Sequence, residues 1–166
     1  MIHTTAFQSL ILLIPALPLG LWIAFTDLKY MRITNKSVMV LAAAFAVLGI
    51  FLFPMEAYLW RLAQVLVVLA IGFVLNALRL VGGGDAKYAA AMAAYFAASD
   101  LRLVLLLFAA MLIGAFVTHR VAARVPALRN ATQDWKSWTA GKDFPMGLAL
   151  SGTLLVYLLA GALQGA

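Results

Sequence analysis

The sequence predicts an all-α membrane protein, a polytopic bundle of about six transmembrane helices built by one domain over residues 1–166. Of the 166 residues, 66% are hydrophobic and only 11% are charged. The mean hydropathy of +1.02 is far above that of soluble globular domains. Apolar runs of helical length recur along the chain, and the segments between them are too short to form a second domain.

The predicted spans follow these apolar runs. They are 7–25, 38–54, 62–79, 86–99, 101–119 and 146–164. The first is predicted to be a retained helix and not a signal peptide, because no Lys or Arg precedes Lys29 and the run continues to Phe25. The fourth is rich in alanine and shorter than the ~20 residues of a full span, which is typical of a helix packed closely inside a bundle. The connection 119–145, with Trp135 and Trp138, is interpreted as an interfacial segment or as a solvated tether.

The basic residues predict the orientation of these spans. With six spans and both termini on the periplasmic side, only Arg61 and Arg102 among the twelve Lys and Arg residues lie outside. The other ten lie in the cytoplasmic loops: Lys29, Arg32, Lys36, Arg79, Lys87, Arg120, Arg124, Arg129, Lys136 and Lys142. This division agrees with the positive-inside rule. The net charge of +6 therefore reports topology in a lipid bilayer, and nucleic acid is not a predicted partner.

Several kinds of site are not expected in this chain. It has no cysteine and only two histidines, His3 and His119, so the sequence predicts no disulfide framework, no thiol nucleophile, no metal centre and no cofactor. His119 stands among arginines and is interpreted as a solvated helix end. In the third span, Gln64 and Asn76 are interpreted as partners in interhelical hydrogen bonds.

Two of the six acids stand where carboxylates are costly. Asp27 and Asp85 each follow an apolar run directly, and the topology places both at the cytoplasmic face. The remaining acids are Glu56 and Asp100 on the outside, and Asp134 and Asp143 in the long cytoplasmic loop. Two carboxylates in a partly desolvated site tend to share one proton, which is the arrangement of an aspartic protease. There are alternative interpretations of the two acids. They could cap helices or form ion pairs with Lys29 and Lys87. They could also be the proton or cation sites of a small transporter or channel.

Three segments resemble one family. Gly82-Gly83-Gly84-Asp85-Ala86-Lys87 matches the G-x-G-D-x-K signature of type IV prepilin peptidases, intramembrane aspartic proteases of the GxGD class. Segment 27–35 is similar to the family's first site, with an Asp followed at the same distance by Ile and Asn. Segment 144–150, Phe-Pro-Met-Gly-Leu-Ala-Leu, is similar to the proline-containing start of its last helix.

The resemblance implies that Asp27 and Asp85 are catalytic, in an enzyme that cuts the short basic leader from prepilins at the cytoplasmic face of the bacterial inner membrane. Such substrates carry a glycine just before the cleaved bond and an apolar helix just after it. Supporting roles are implied for five residues: Gly82, Gly84, Lys87, Asn35 and Lys29. Lys87 is expected to orient or tune the acidic pair. Arg32 is a weaker candidate, and Thr34 stands where the family often has proline.

The chain also departs from the larger members of that family. It lacks their cysteine-containing cytoplasmic region, so methyltransferase activity is not expected. It looks like the short, peptidase-only form found with tight-adherence (Flp-type) pilus systems. The sequence does not determine which prepilin is cleaved or the oligomeric state. Besides a peptidase and a transporter or channel, it also allows a third possibility, a non-catalytic membrane subunit.

Overall fold

The computed structural model describes residues 2–141 and 143–164, and within these ranges it contains helices and no β-strand. Lys142, one of the ten basic residues assigned to the cytoplasmic loops, lies outside the described residues. The helices are α1 (Ala6–Tyr30), α2 (Asn35–Leu52), α3 (Met55–Ala77), α4 (Gly83–Ala93), α5 (Leu101–Ala122), α6 (Pro126–Ala131) and α7 (Met146–Leu163). Single 3₁₀ turns lie at Ala98–Asp100 and Lys136–Trp138. The predicted all-α class is confirmed.

Five of the predicted spans correspond to long apolar helices. α1, α2, α3, α5 and α7 are each long and apolar enough to cross a membrane. α1 continues past the predicted end at residue 25 and so includes Asp27. The predicted start of the third span, at residue 62, is wrong, because Pro54 ends α2 and caps a helix that begins at Met55.

The fourth predicted span is helical only over Gly83–Ala93. At 1.5 Å per residue this helix is about 16 Å long, too short for a hydrocarbon core of about 30 Å. Six crossing helices are therefore not confirmed. The irregular backbone that follows lies within a buried stretch, residues 90–97, where surrounding protein can satisfy its polar groups.

The two ends of this fourth segment lie at opposite ends of α1. At one end, Asp85 lines the same cavity as Asp27, in the last turns of α1. At the other, the Asp100 carboxylate accepts a 2.9 Å hydrogen bond from the backbone N–H of His3, which precedes α1. The segment from α4 to Asp100 thus runs the length of the bundle, although its helix does not.

Arg61 is part of the bundle interior and not of a solvated loop. It lies in α3, is buried, donates to the carbonyl of Ala94 over 3.0 Å and stacks over the ring of Phe53. Assigning Arg61 to a loop is therefore wrong, because a carbonyl and an aromatic face replace its contacts with water. The nearby Asp100 carboxylate is also buried and accepts a 2.7 Å hydrogen bond from Tyr157.

The connection between α5 and α7 is tied to the helices by its two tryptophans. Trp138 stacks on His119 with ring centroids 4.8 Å apart, and Trp135 meets the Phe25 ring edge-on at 5.9 Å. His119 is only 7% exposed, so its interpretation as a solvated helix end is wrong. Its ring lies between Trp138 and Phe144, and aromatic packing has replaced solvent around it.

Candidate active site

Asp27 and Asp85 line a single cavity at one end of the bundle. Its volume is about 840 Å³. Asp27 lies near the end of α1, and Asp85 lies in the first turn of α4. The walls are completed by Met31, by residues 79–82, by Leu112, Ile113 and Phe116 of α5, and by Asp143, Phe144 and Met146. The structure therefore brings together the two acids that the sequence singled out.

The start of α7 holds the Asp27 carboxylate in place. Asp27 is 6% exposed, and its Oδ2 accepts a 2.7 Å hydrogen bond from the backbone N–H of Gly147. This N–H is free to donate because the first N–H groups of a helix have no partner within that helix. A Cβ atom at position 147 would lie 2.9 Å from both Cβ and Oδ2 of Asp27. The site therefore requires glycine at this position.

Gly147 is a site residue that sequence reasoning did not single out. In the sequence it is only a member of segment 144–150, and the sequence assigns it no role of its own. A glycine two residues after a proline at the start of an apolar run was the available signal. The pattern carries no information about which carboxylate packs against it.

Asp85 is held at the N-terminus of α4. Gly82 precedes this helix with φ −63°, and a Cβ atom there would lie 2.5 Å from Oδ2 of Asp85. Gly84 packs against the α1–α2 connection, where an added Cβ would come within 3.2 Å of the Cβ of Ile33. The two glycines thus allow the Asp85 carboxylate and Ile33 to approach the backbone closely. Among the described residues, positive φ angles outside glycine occur at Arg79 and Met31, which lie in the same cavity wall.

The surroundings of the Asp85 carboxyl favour its protonated form more than water does. Burial, and after it the charge of Asp27, raises the pKa of Asp85 from 3.8 to about 6. The partial positive charge at the N-terminus of α4 acts in the opposite direction and favours the anion. At neutral pH a modest change in surroundings can therefore protonate or ionise this group.

We expect the stability of the protein to fall as pH rises from about 4 to about 7, and Asp85→Asn to reduce that fall. Between its ordinary pKa of 3.8 and about 6, Asp85 binds more protons in the folded state than in the unfolded state. Deprotonation therefore favours unfolding in this range. Thermal unfolding in detergent micelles across the range is expected to differ between the two proteins by roughly 2 to 4 °C. The same pH dependence in both would contradict the raised pKa.

The other predicted supporting residues lie beside the cavity without lining it. Lys87 donates from Nζ to Oδ1 of Asn35 over 3.2 Å, and both side chains are exposed. Lys29 pairs with Asp134 over 2.8 Å, a contact that lowers the pKa of the Asp134 carboxyl. Within the described part of the chain neither lysine forms a salt bridge with Asp27 or Asp85. The ion-pair interpretation of these two acids is therefore wrong for the residues described.

Two further charged residues line the cavity: Arg79, and Asp143, which the sequence suggests as a contact for the basic leader. Both are exposed at its wall, so the described part of the lining holds three acids and one base. Asn76 donates to the carbonyl of Val81 over 2.9 Å. Its interpretation as an interhelical hydrogen-bonding residue is therefore wrong, because it braces the loop that follows its own helix. No sequence pattern marked Arg79 as a neighbour of the acids.

This arrangement suits acid–base chemistry on a substrate at the end of the bundle. Two carboxylates in a partly desolvated cavity can divide the roles of proton acceptor and proton donor around one water molecule. Among the described residues, no group of three or more His, Asp or Glu side chains is placed to hold a metal ion.

One comparison with known proteins found a match, to a protein family. The model of the type IV leader peptidase family matches residues 13–119, a range that contains both acids and the glycine run. Segment 144–150 lies outside the match. Neither the curated proteins nor the solved structures gave a match.

Proposed function

Because the chain belongs to the type IV leader peptidase family, we propose that it is an aspartic endopeptidase that removes the short basic leader of a prepilin. Asp27 and Asp85 are its catalytic pair, and no cofactor takes part. The protein cleaves the leader without transferring a methyl group, and it acts in a tight-adherence (Flp-type) pilus system. The observation that carries it is that these two acids, far apart in sequence, line one cavity.

In the proposed reaction the pair shares one proton. The ionised carboxylate takes a proton from water as the water oxygen attacks the carbonyl carbon of the scissile bond, and the protonated carboxyl donates to the carbonyl oxygen. The tetrahedral intermediate then collapses as a proton passes to the leaving nitrogen and the C–N bond breaks. Gly147 contributes by fixing the Asp27 carboxylate through its backbone N–H.

The charges of the cavity suit a basic leader. Among the described residues, Asp27, Asp85 and Asp143 lie in the lining, against one base, Arg79. Asp143 is exposed and forms no salt bridge with any described residue, so it could attract a Lys or Arg of the leader, whereas Asp134 is paired with Lys29. A basic leader would also be retained in the cytoplasm by the rule that orients this chain. The cleavage site would therefore meet the membrane at the proposed acids.

We place both termini on the periplasmic side of the inner membrane, with the acids at the cytoplasmic face. The path of the fourth segment supports this topology, because it connects the two ends of α1 and so adds a crossing to the five long helices. The cysteine-free chain allows a direct test. A membrane-impermeant thiol reagent applied to intact spheroplasts should label Glu56→Cys and leave Asp134→Cys unlabelled. The opposite pattern would overturn the orientation.

The function itself is tested by incubating the purified protein with a synthetic prepilin that carries a basic leader, one glycine and an apolar helix. We expect a single cut directly after the glycine, identified by the mass of the new N-terminal fragment. A small transporter or channel that uses the same acids would leave the substrate intact. If folded protein reconstituted in lipid leaves the substrate uncleaved, the proposed peptidase function is wrong.

A further inference from the structure

A second opening leads away from the acids into the depth of the bundle. It is an apolar groove of about 320 Å³, with α3 on one side, α5 on the other, and α4 and α7 at its floor. α3 packs against α4, and α5 packs against α7. The groove lies between these two pairs.

Small residues keep the floor of the groove open. Gly72 of α3 lies against Ala86 of α4, where an added Cβ would come within 2.9 Å of the Ala86 Cβ. Ala89 and Ala93 continue the α4 floor with side chains too short to fill the space. Large apolar side chains form the rims, among them Leu105, which is 58% exposed. The result is a groove shaped for one face of an apolar helix.

The groove is continuous with the candidate active site. Val81, Asp85 and Met146 line both the 840 Å³ cavity and the groove. From Asp85 the groove extends to Leu101, beside the buried Asp100 at the opposite end of α1. It therefore covers the depth of the bundle that a membrane-spanning helix would cover.

One polar atom in the groove has no hydrogen-bond partner in the part of the chain that the structure describes. The Oε1 atom of Gln64 is buried and accepts no hydrogen bond from the described residues. Its interpretation as half of an interhelical hydrogen bond is therefore wrong within the described part of the chain. A buried acceptor without a donor carries a free-energy cost. A donor on a helix seated in the groove would remove that cost, which lipid tails cannot do.

We propose that this groove binds the apolar helix that follows the cleaved bond, with the bond itself held at Asp85. This rests on the proposed peptidase function and adds the location of the substrate's membrane segment. Seating the helix between α3 and α5 delivers the residues before it to the cavity that holds both acids. The substrate enters sideways from the lipid, because the groove opens between these two helices.

Filling the groove should reduce cleavage of the synthetic prepilin. Ala89→Trp places a large ring on the half-buried floor, whereas the matched variant Ala70→Trp adds the same ring to an exposed position of α3 outside the groove. We expect kcat/KM to fall at least tenfold in Ala89→Trp, equivalent to about 1.4 kcal/mol, and to change by less than about threefold in Ala70→Trp. Equal activity of the two variants would overturn the proposed role of the groove and would leave the proposed peptidase function unaffected. Failure of the unmodified enzyme to cleave would instead remove the proposed function.

Cross-linking gives an independent result that does not depend on activity. In an Asp27→Asn background, Leu105→Cys on the groove rim is paired with a cysteine midway along the apolar helix of the synthetic prepilin. Leu106→Cys is the control, because Leu106 is 62% exposed but lies outside the groove. We expect a disulfide with position 105 and not with position 106. Equal cross-linking at both positions, or none at either, would show that lipid and not substrate covers the groove.

Discussion

Replacing Asp27 or Asp85 by asparagine is expected to reduce prepilin cleavage by about 10²- to 10⁴-fold, the range usually lost with a general acid or base. Asparagine keeps the size of the side chain and can still accept the hydrogen bond from Gly147, but it cannot exchange a proton with water. Both variants should therefore fold and bind substrate while failing at chemistry. The measurement is the fraction of co-expressed prepilin that is converted to the shorter form.

The matched control is Glu56→Gln, which makes the same chemical change at an exposed acid outside the cavity. Processing in this variant should equal that of the unmodified protein. The double variant Asp27→Asn/Asp85→Asn should lose little more than either single one, because the two groups act as a unit. Full processing in both single variants would exclude the acid pair as the catalytic centre.

Gly147→Ala is expected to lower the cleavage rate by about 10²-fold, the effect of a misplacement of about 1 Å at a reacting group. The added methyl would lie 2.9 Å from Cβ and Oδ2 of Asp27, much closer than side-chain atoms normally approach. Either the carboxylate turns away from the cavity or the start of α7 shifts, and the 2.7 Å hydrogen bond from the Gly147 N–H is lost in both cases. The rate of synthetic prepilin cleavage measures the effect.

Gly114→Ala is the control for this change, since a Cβ at position 114 meets no other atom within 4 Å. Alanine also favours the helix there, so this variant should be at least as stable as the unmodified protein. Thermal unfolding in detergent separates a displaced carboxylate from a collapsed fold. If Gly147→Ala cleaves as fast as Gly114→Ala, the Asp27–Gly147 contact is not needed for catalysis.

The helices themselves were largely predictable, because the apolar run that fills a membrane is a local property of the chain. Errors arose where a polar residue finds its partner far away in sequence. Arg61 was placed in a loop because the third span was predicted to start at residue 62, but it lies in α3 beside the Ala94 carbonyl and the Phe53 ring. The buried carboxylate of Asp100 likewise takes its donors from residues far away in sequence, His3 and Tyr157, although its predicted place on the outside is not contradicted.

The sequence by itself determined the class of the protein, its family and the two acids worth testing. The supporting residues were harder to predict, since Lys29 and Lys87 follow their acids in sequence but pair with Asp134 and Asn35 in space.

Only the tertiary structure decided that Asp27 and Asp85 line one cavity, that Gly147 fixes the first of them, and that an apolar groove runs from the second. Hydropathy and motifs carry information about one helix length of the chain. A site between helices depends instead on which helix faces pack together. Glycines at 72, 82 and 147 carry the same letter in the sequence. Their neighbours, Ala86, Asp85 and Asp27, give each a different function.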